Sequence, residues 1–433
     1  MKKNVKIIFI ICIVLGILAG ALNFYAGGQQ EHLQEIQEQQ NARKQALGQL
    51  KMAEILGTDP GDIVVPDEVE LSSMDNFIMK LNDSKSLLWV LAIDFLIIGV
   101  GGIIFSGVKA KKRASGQVKQ LGSSNNVIGI VIALLALCLD LAIASPVFLT
   151  ASNFLNVFQQ ISINFVVAVG MTFVIISGGI DLSVGSNIAL SGLLMGILMK
   201  NYNVSVPVTI IVCVLVSCLI GLVNGVLISL LDLPPFIATL GTMSIVRGAA
   251  YTVTGGQPIY TFPKGFTAIA GRVGGIPLYS TIIMACVMLL GWYILKYTRV
   301  GRFTYAIGGN ENCAKLSGIN LKKVKCFVYM FSGFCCGVAG LLLTSRLDSA
   351  VPTNADGQEM DAIAAVVIGG TSMSGGEGSM IGTLIGIFII GIISNGLNLL
   401  GVAQGPQKMV KGLIIVIAVV IDVIRRKASE SAK

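Results

Sequence analysis

The chain alternates long apolar runs with short polar stretches. The runs are Ile7 to Ala26, Leu87 to Phe105, Val127 to Ala144, Ile161 to Gly178, Val206 to Leu231, Leu278 to Leu295, Phe327 to Thr344, Gly382 to Leu400 and Val410 to Ile424. Crossing the ~30 Å hydrocarbon core takes roughly 20 residues at 1.5 Å each, so these runs predict membrane-crossing helices. Two apolar stretches are interrupted in the same frame, GG-x-x-x-S-x-G: Gly178, Gly179, Asp181, Ser183 and Gly185 in the first, Gly369, Gly370, Thr371, Ser374 and Gly376 in the second. Glycine inside a helix costs about 1 kcal/mol relative to alanine, and a charge at mid-bilayer at least ~2.5 kcal/mol, so a lipid-facing helix has no use for either. Each interruption predicts a helix broken at membrane depth beside a polar cavity. The competing reading of the first is a tight turn outside the membrane with Asp181 as N-cap. Before the second, Asp361 opens an apolar segment, DAIAAVVIGG, too short to cross alone and therefore a half-helix. The repeated frame suggests two related halves. The expected fold is an all-α polytopic membrane protein of about twelve segments, two of them in an N-terminal extension.

Composition agrees. Of 433 residues, 54% are hydrophobic and 12% charged, about half the charge usual in a soluble globule. The 51 glycines suit helices that approach closely through small side chains. The net charge of +8 sits in clusters beside apolar runs, where the positive-inside rule places it, and is no nucleic-acid signature. Lys109, Lys111, Lys112, Arg113 and Lys119 mark one cytoplasmic segment, Lys296 to Lys325 a second, and Arg425, Arg426 and Lys427 put the C-terminus on the same side. With Lys2, Lys3 and Lys6 before it, Ile7 to Ala26 reads as an uncleaved anchor rather than a signal peptide. Residues 27–86 carry eleven acidic and five basic side chains, with a Gln- and Glu-rich helix from Gln29 to Leu56. This loop belongs outside, as a solvated appendage or a docking element. His32 is the only histidine and most of the nine cysteines lie in apolar runs, so Ser-His, Cys-His and zinc chemistries, metal sites and disulfide frameworks are not expected.

Several shorter elements complete the reading. FLTASNFLNVFQQ, after Ser145-Pro146, predicts a short amphipathic helix at the outer interface, and Gln257 to Pro277 an outer loop. Asn224 is either interhelical glue or a lining residue. Pro234-Pro235 start a helix on which Phe236, Thr239, Thr242 and Ser244 form one side, either a cavity wall or hydroxyls bonded back to their own carbonyls. Between Lys296 and Lys325, seven basic residues accompany one acid, Glu311. There Gly308, Gly309 and Asn310 predict a turn, Glu311 to Ser317 (through Ala314) two helical turns, and Gly318 the C′ cap. A short capped helix of this kind can sit in a groove of another protein.

The segments GGIDLSVG, PPFIATLGTMSIVRG, AIGGNENCAKLSGIN and MDAIAAVVIGGTSMSGGEGSMIGTLIG, in this order and spacing, closely resemble the ribose-type permease subunit of bacterial ATP-binding-cassette (ABC) sugar importers. The likeness covers about residues 125–422, a permease domain at 125–433, and leaves 1–124 as an extension foreign to the usual pattern. It implies a core of about ten segments, a second permease copy or paralogue, a cytoplasmic ABC ATPase dimer holding ATP-Mg, and an extracytoplasmic sugar-binding protein, in the bacterial plasma membrane with both termini inside. It also implies that Ala306 to Ile319 is the coupling loop to the ATPase and that the region of Gly178 to Gly185 lies near the path of the sugar. The chain has no G-x-x-x-x-G-K-[ST] loop, so the energy would come from the partner, and no cofactor is expected on this chain. A neutral sugar calls for hydroxyls and amides, and Ser183, Asn224, Thr239, Thr242, Thr371 and Ser374 are candidates; Asp181 and Asp361 either cap half-helices or touch substrate. The rivals are an ion-coupled carrier using Asp181, an intramembrane enzyme, and a passive channel.

Overall fold

The computed structural model describes residues 30–56, 65–66, 124–272 and 276–430. The spans expected at Ile7 to Ala26 and Leu87 to Phe105, with the basic cluster from Lys109 to Lys119, lie outside these residues. Helix α1, Gln30–Leu56, matches the predicted Gln- and Glu-rich helix almost residue for residue. It is polar nearly all round, which suits a solvated helix rather than one packed into a core.

The membrane unit follows in order: α2 Ser124–Ala144, α3 Ala151–Ile176, α4 Val184–Lys200, α5 Val206–Ser229, α6 Pro235–Thr254, β1 Ile259–Tyr260, α7 Lys264–Thr267, α8 Leu278–Tyr297, α9 Arg299–Gly309, α10 Glu311–Leu316, α11 Leu321–Leu347, β2 Ser349–Ala350, α12 Gln358–Ile368, α13 Met380–Leu399 and α14 Gln404–Glu430. Among the described residues six helices, α3, α5, α6, α8, α11 and α13, are long and apolar enough to cross a bilayer. At 17 and 11 residues, α4 and α12 are not.

Two helices form the centre. α3 is buried on every side from Ile161 to Ser177, and α11 packs against α3, α4 and α5. With no water to drive helices together in lipid, close backbone approach does the work. On the α5–α11 seam, a Cβ on Gly225 would lie 2.6 Å from Cys326 Cα and one on Gly337 2.9 Å from Val214 Cα. The apolar side chains of α5 and α6, by contrast, point outward: Ile211, Leu215, Leu219, Ile237 and Ile245 are exposed. Those faces suit lipid or another chain.

Two expectations change. FLTASNFLNVFQQ is not a separate interfacial helix but the start of α3, because Asn153 turns inward and exchanges amide hydrogen bonds with Asn395 of α13 at 3.1 and 2.8 Å. Nor is Gln257 to Pro277 a simple loop. Phe262, Phe266 and Ala270 are buried, β1 pairs antiparallel with β2, and Ser345 of α11 donates to Phe266 O at 2.7 Å and accepts from Ala270 N at 2.9 Å. The aromatic side chains draw the segment onto the end of α11.

Candidate functional site

Both glycine frames end a helix by the same device. After α3, Gly178 adopts φ +82°, its N–H bonds Ile175 O at 2.9 Å, and Gly179 N bonds Val174 O at 3.0 Å. After α12, Gly370 adopts φ +89°, its N–H bonds Val367 O at 2.9 Å, and Thr371 N bonds Val366 O at 3.1 Å. These are matching left-handed C-caps, but Gly178 corresponds to Gly370, not to Gly369, so structure and sequence frame differ by one residue. Either glycine of a pair can supply the left-handed position, and here the second break uses the later one. Gly369 instead lies against Gly382 of α13, where a side chain would strike backbone.

Beyond the first turn the chain closes on itself. Asp181 Oδ1 accepts from Ser183 N at 3.0 Å and Ser183 Oγ at 2.6 Å, while Oδ2 accepts from Ser332 Oγ of α11 at 2.8 Å. Asn224 of α5 donates to Ser183 Oγ at 2.8 Å, so the Asn224 role is interhelical. Thr239 of α6 donates back to Pro235 O at 2.9 Å, the packed-helix alternative, and also reaches Ile180 O at 3.3 Å. Asp181, Ser183, Asn224 and Thr239 are at most 1% exposed. The carboxylate sits at the N-terminal end of α4, where unpaired N–H groups and the helix dipole favour negative charge. Gly185 leaves room for the Glu359 carboxylate and Ala355 O, bringing the start of α4 against the start of α12.

The second break is held differently. Ser372 Oγ accepts from Ser374 N and donates to Asp422 of α14, both at 3.3 Å, and Met373 N donates to the same carboxylate at 3.2 Å. Asp361, in the first turn of α12, pairs with Lys411 at 2.8 Å, and Asp356 with Lys408 at 2.9 Å. The hydrogen bond from Lys408 holds the Asp356 carboxyl below its usual range. Thr371 is buried, and its hydroxyl has no hydrogen-bond partner among the described residues; Ser374 is exposed.

The two breaks meet at α9. A Cβ on Gly375 would lie 2.9 Å from Gly308 Cα and 3.0 Å from Gly178 Cα, and one on Gly376 2.8 Å from Gly309 Cα. Gly376 N donates to Ile176 O at 2.9 Å, and Tyr305 of α9 donates to Gly378 O at 2.9 Å. A side chain on Gly308 would collide with Ile176 O and Gly376 N. This corrects the expected turn at Gly308 to Asn310: both glycines are helical, the last residues of α9, and Gly308 is kept small by backbone contact rather than by a bend. Asn310 then caps α10, its Oδ1 accepting from Cys313 N at 2.9 Å, and Gly318 closes it at φ +80° as foreseen. Glu311 pairs with Lys325 of α11 at 2.7 Å. Ala314 faces inward, whereas Leu316 is 88% exposed.

Between α10 and the first break lies an open cleft of about 320 Å³, lined by Ser177, Gly178, Gly179, Asp232, Pro234, Pro235, Glu311, Lys325 and Tyr329. Of the residues expected along the path only Gly178 and Gly179 line it, and none of the proposed hydroxyl and amide sugar contacts does. Thr242 is buried in α6, and Phe236, 54% exposed, does not line it. Pattern reading passed over Ser332, which carries no signal in an apolar run. It also passed over Lys411 and Asp422, charges in or beside an apolar run, and Leu316, an apolar residue in a basic loop; each could have been suspected.

Comparison with known proteins places this geometry. Residues 153–419 match the family model described as branched-chain amino acid transport system / permease component. The ribose import permease protein of Haemophilus influenzae is 45% identical over 301 residues, 67% of this chain and 91% of that relative. That of Bacillus subtilis is 45% identical over 306 residues, 70% and 94%, and the galactose/methyl galactoside import permease protein of Haemophilus influenzae 38% over 295 residues, 64% and 88%. No solved structure matches the chain. The relatives are transport components, and the chain belongs with them to the ribose-type permeases of ABC sugar importers, as an integral membrane subunit and not an enzyme.

Proposed function

We propose that the chain forms the path for a monosaccharide, ribose-like or galactoside-like, driven by ATP hydrolysis on partner subunits. The family description mentions amino acids, but the relatives are a ribose and a galactoside permease by name. The partners are a second permease copy or paralogue, a cytoplasmic ATPase dimer holding ATP-Mg, and an extracytoplasmic sugar-binding protein. The chain itself binds no cofactor. The end bearing Arg299, Arg302, Lys322, Lys323 and Lys325 faces the cytoplasm, as do both termini. Residues 1–124 form a separate extension of the permease domain at 125–433.

The observation that carries the mechanism is the glycine junction: Gly308 touches both breaks through backbone, so a push on α10 reaches α3 and α12 without a soft side chain between. Gly308, Gly309, Asn310, Glu311, Ala314, Ser317 and Gly318 build the coupling element, and Leu316 is its outward contact. Asp181, bonded by three donors from Ser183 and Ser332, caps and anchors the first half-helix; nothing in that arrangement favours an ion-coupled carrier. The test is ATP hydrolysis and radiolabelled ribose and galactose uptake in vesicles with both partners. Leu316→Asp is expected to abolish sugar-stimulated hydrolysis and uptake at an unchanged melting temperature. Unchanged activity would remove α10 as the coupling element, and uptake without ATP would remove the importer reading.

A further inference from the structure

We propose that Arg272 and Arg346 form a receiving point for carboxylates of the extracytoplasmic binding protein. This rests on the importer reading above. The two arginines share one corner of the molecule. Ala270 N bonds Ser345 Oγ at 2.9 Å, Gln159 ties Ala270 O at 2.5 Å, and Arg272 and Arg346 follow directly, close enough for their charges to repel. Arg272 is exposed and, among the described residues, donates to Asn156 Oδ1 at 2.5 Å. Arg346 is half-buried and has no hydrogen-bond acceptor or acidic partner among the described residues. Asp348, the nearest acid along the chain, has its carboxylate on Phe262 N at 2.7 Å. A guanidinium carries five donors and stays charged, so an unpaired, half-desolvated one beside a second is a site waiting for an anion.

The place of the pair selects the kind of anion. Arg346 lies 21 residues along α11 from Lys325, about 30 Å, hence on the opposite membrane face from the basic segment at Arg299 to Lys325. Basic residues are depleted on that face by the positive-inside rule, yet Lys200, Lys264, Arg272 and Arg346 gather there. Arg346 ends a helix packed at the centre of the unit among α3, α4 and α5, away from the outward apolar faces of α5 and α6 where lipid headgroups would gather. What reaches it comes from the aqueous side, and a neutral sugar supplies no charge. An acidic protein surface does, and planar bidentate pairing with carboxylate suits Arg at such a contact.

The experiment titrates the sugar-loaded binding protein against ATP hydrolysis by the full complex in phosphatidylcholine vesicles. Arg346→Gln with Arg272→Gln is expected to raise the half-saturating concentration at least about tenfold, with the maximal rate and basal hydrolysis unchanged. The variant should also lose most of the salt dependence seen in the wild type. An unchanged half-saturating concentration overturns the proposal. So does a defect that appears only when phosphatidylglycerol is added, which would mark a lipid headgroup contact. A wild type that the binding protein fails to stimulate overturns the importer reading itself.

Discussion

The first and second breaks begin alike and are secured by opposite means. The first is welded into the centre, its carboxylate, hydroxyls and amide bonded to one another and to α11 and α5, each of these side chains at most 1% exposed. The second draws its charged anchors from one peripheral helix, α14, which reaches it through Lys408 and Lys411 at one end of α12 and Asp422 at the other, while its backbone rests on α3, α9 and α13. Buried bonds shielded from water resist opening, while ion pairs and long hydrogen bonds at a partly wet edge exchange with water at little cost. In the mechanism proposed above, such a mounting supplies one fixed wall and one that shifts, with α9 touching both.

The largest effect should come from striking the point the two breaks share. Gly308→Ala places a methyl against Ile176 O and Gly376 N, both backbone, so one break must move away from α9. A loss of about 3 kcal/mol, or more, is expected, with uptake abolished even where folded protein is recovered. Thermal unfolding in detergent and uptake in vesicles measure the two; a fully active variant would mean the glycines do not transmit. The next effect separates the breaks. Asp181→Ala strips three buried donors of their acceptor and is expected to lower stability by about 2 kcal/mol, whereas Asp422→Ala strips two donors at a half-exposed site where water can replace the carboxylate and should cost about 1 kcal/mol or less. Equal losses in chemical unfolding would erase the distinction between a welded and a hung break. The smallest effect is titration of Asp356. Its pKa is depressed by Lys408, so its stabilising contribution is complete above the unfolded value near ~3.9 and fades as pH falls through the lower folded value. The melting temperature should drop across that window, less so in Lys408→Met; identical profiles would show that the exposed pair contributes nothing.

Much of the site was legible. GG followed by Asp and Ser demanded a left-handed turn and a helix start wherever it lay, and Asn310, Glu311 and Gly318 carried the start and stop signals of α10 in their own chemistry. What could not be read was partnership. Ser332 meets Asp181 across 151 residues of chain and Asn224 meets Ser183 across 41, separations that no local pattern encodes. Gly308 and Gly309 show the limit most sharply, because a glycine pair looks like a turn from its neighbours alone. Only the arrival of Ile176, Gly375 and Gly376 against Gly308 shows that its missing side chain makes room for contact and does not mark a bend.

By itself, then, the sequence determined that the protein lives in a membrane, that two helices break, that one short capped helix stands in a basic loop, and to which family these segments belong. Those properties follow from hydrophobicity, φ preference and capping, which act within a few residues. The tertiary structure alone decided which break is buried, that the breaks match one residue out of frame, that FLTASNFLNVFQQ begins a core helix, and that two arginines are left facing the same corner. Each depends on which distant backbones come within van der Waals reach, a matter settled by packing the helices against one another and not by any stretch of chain alone.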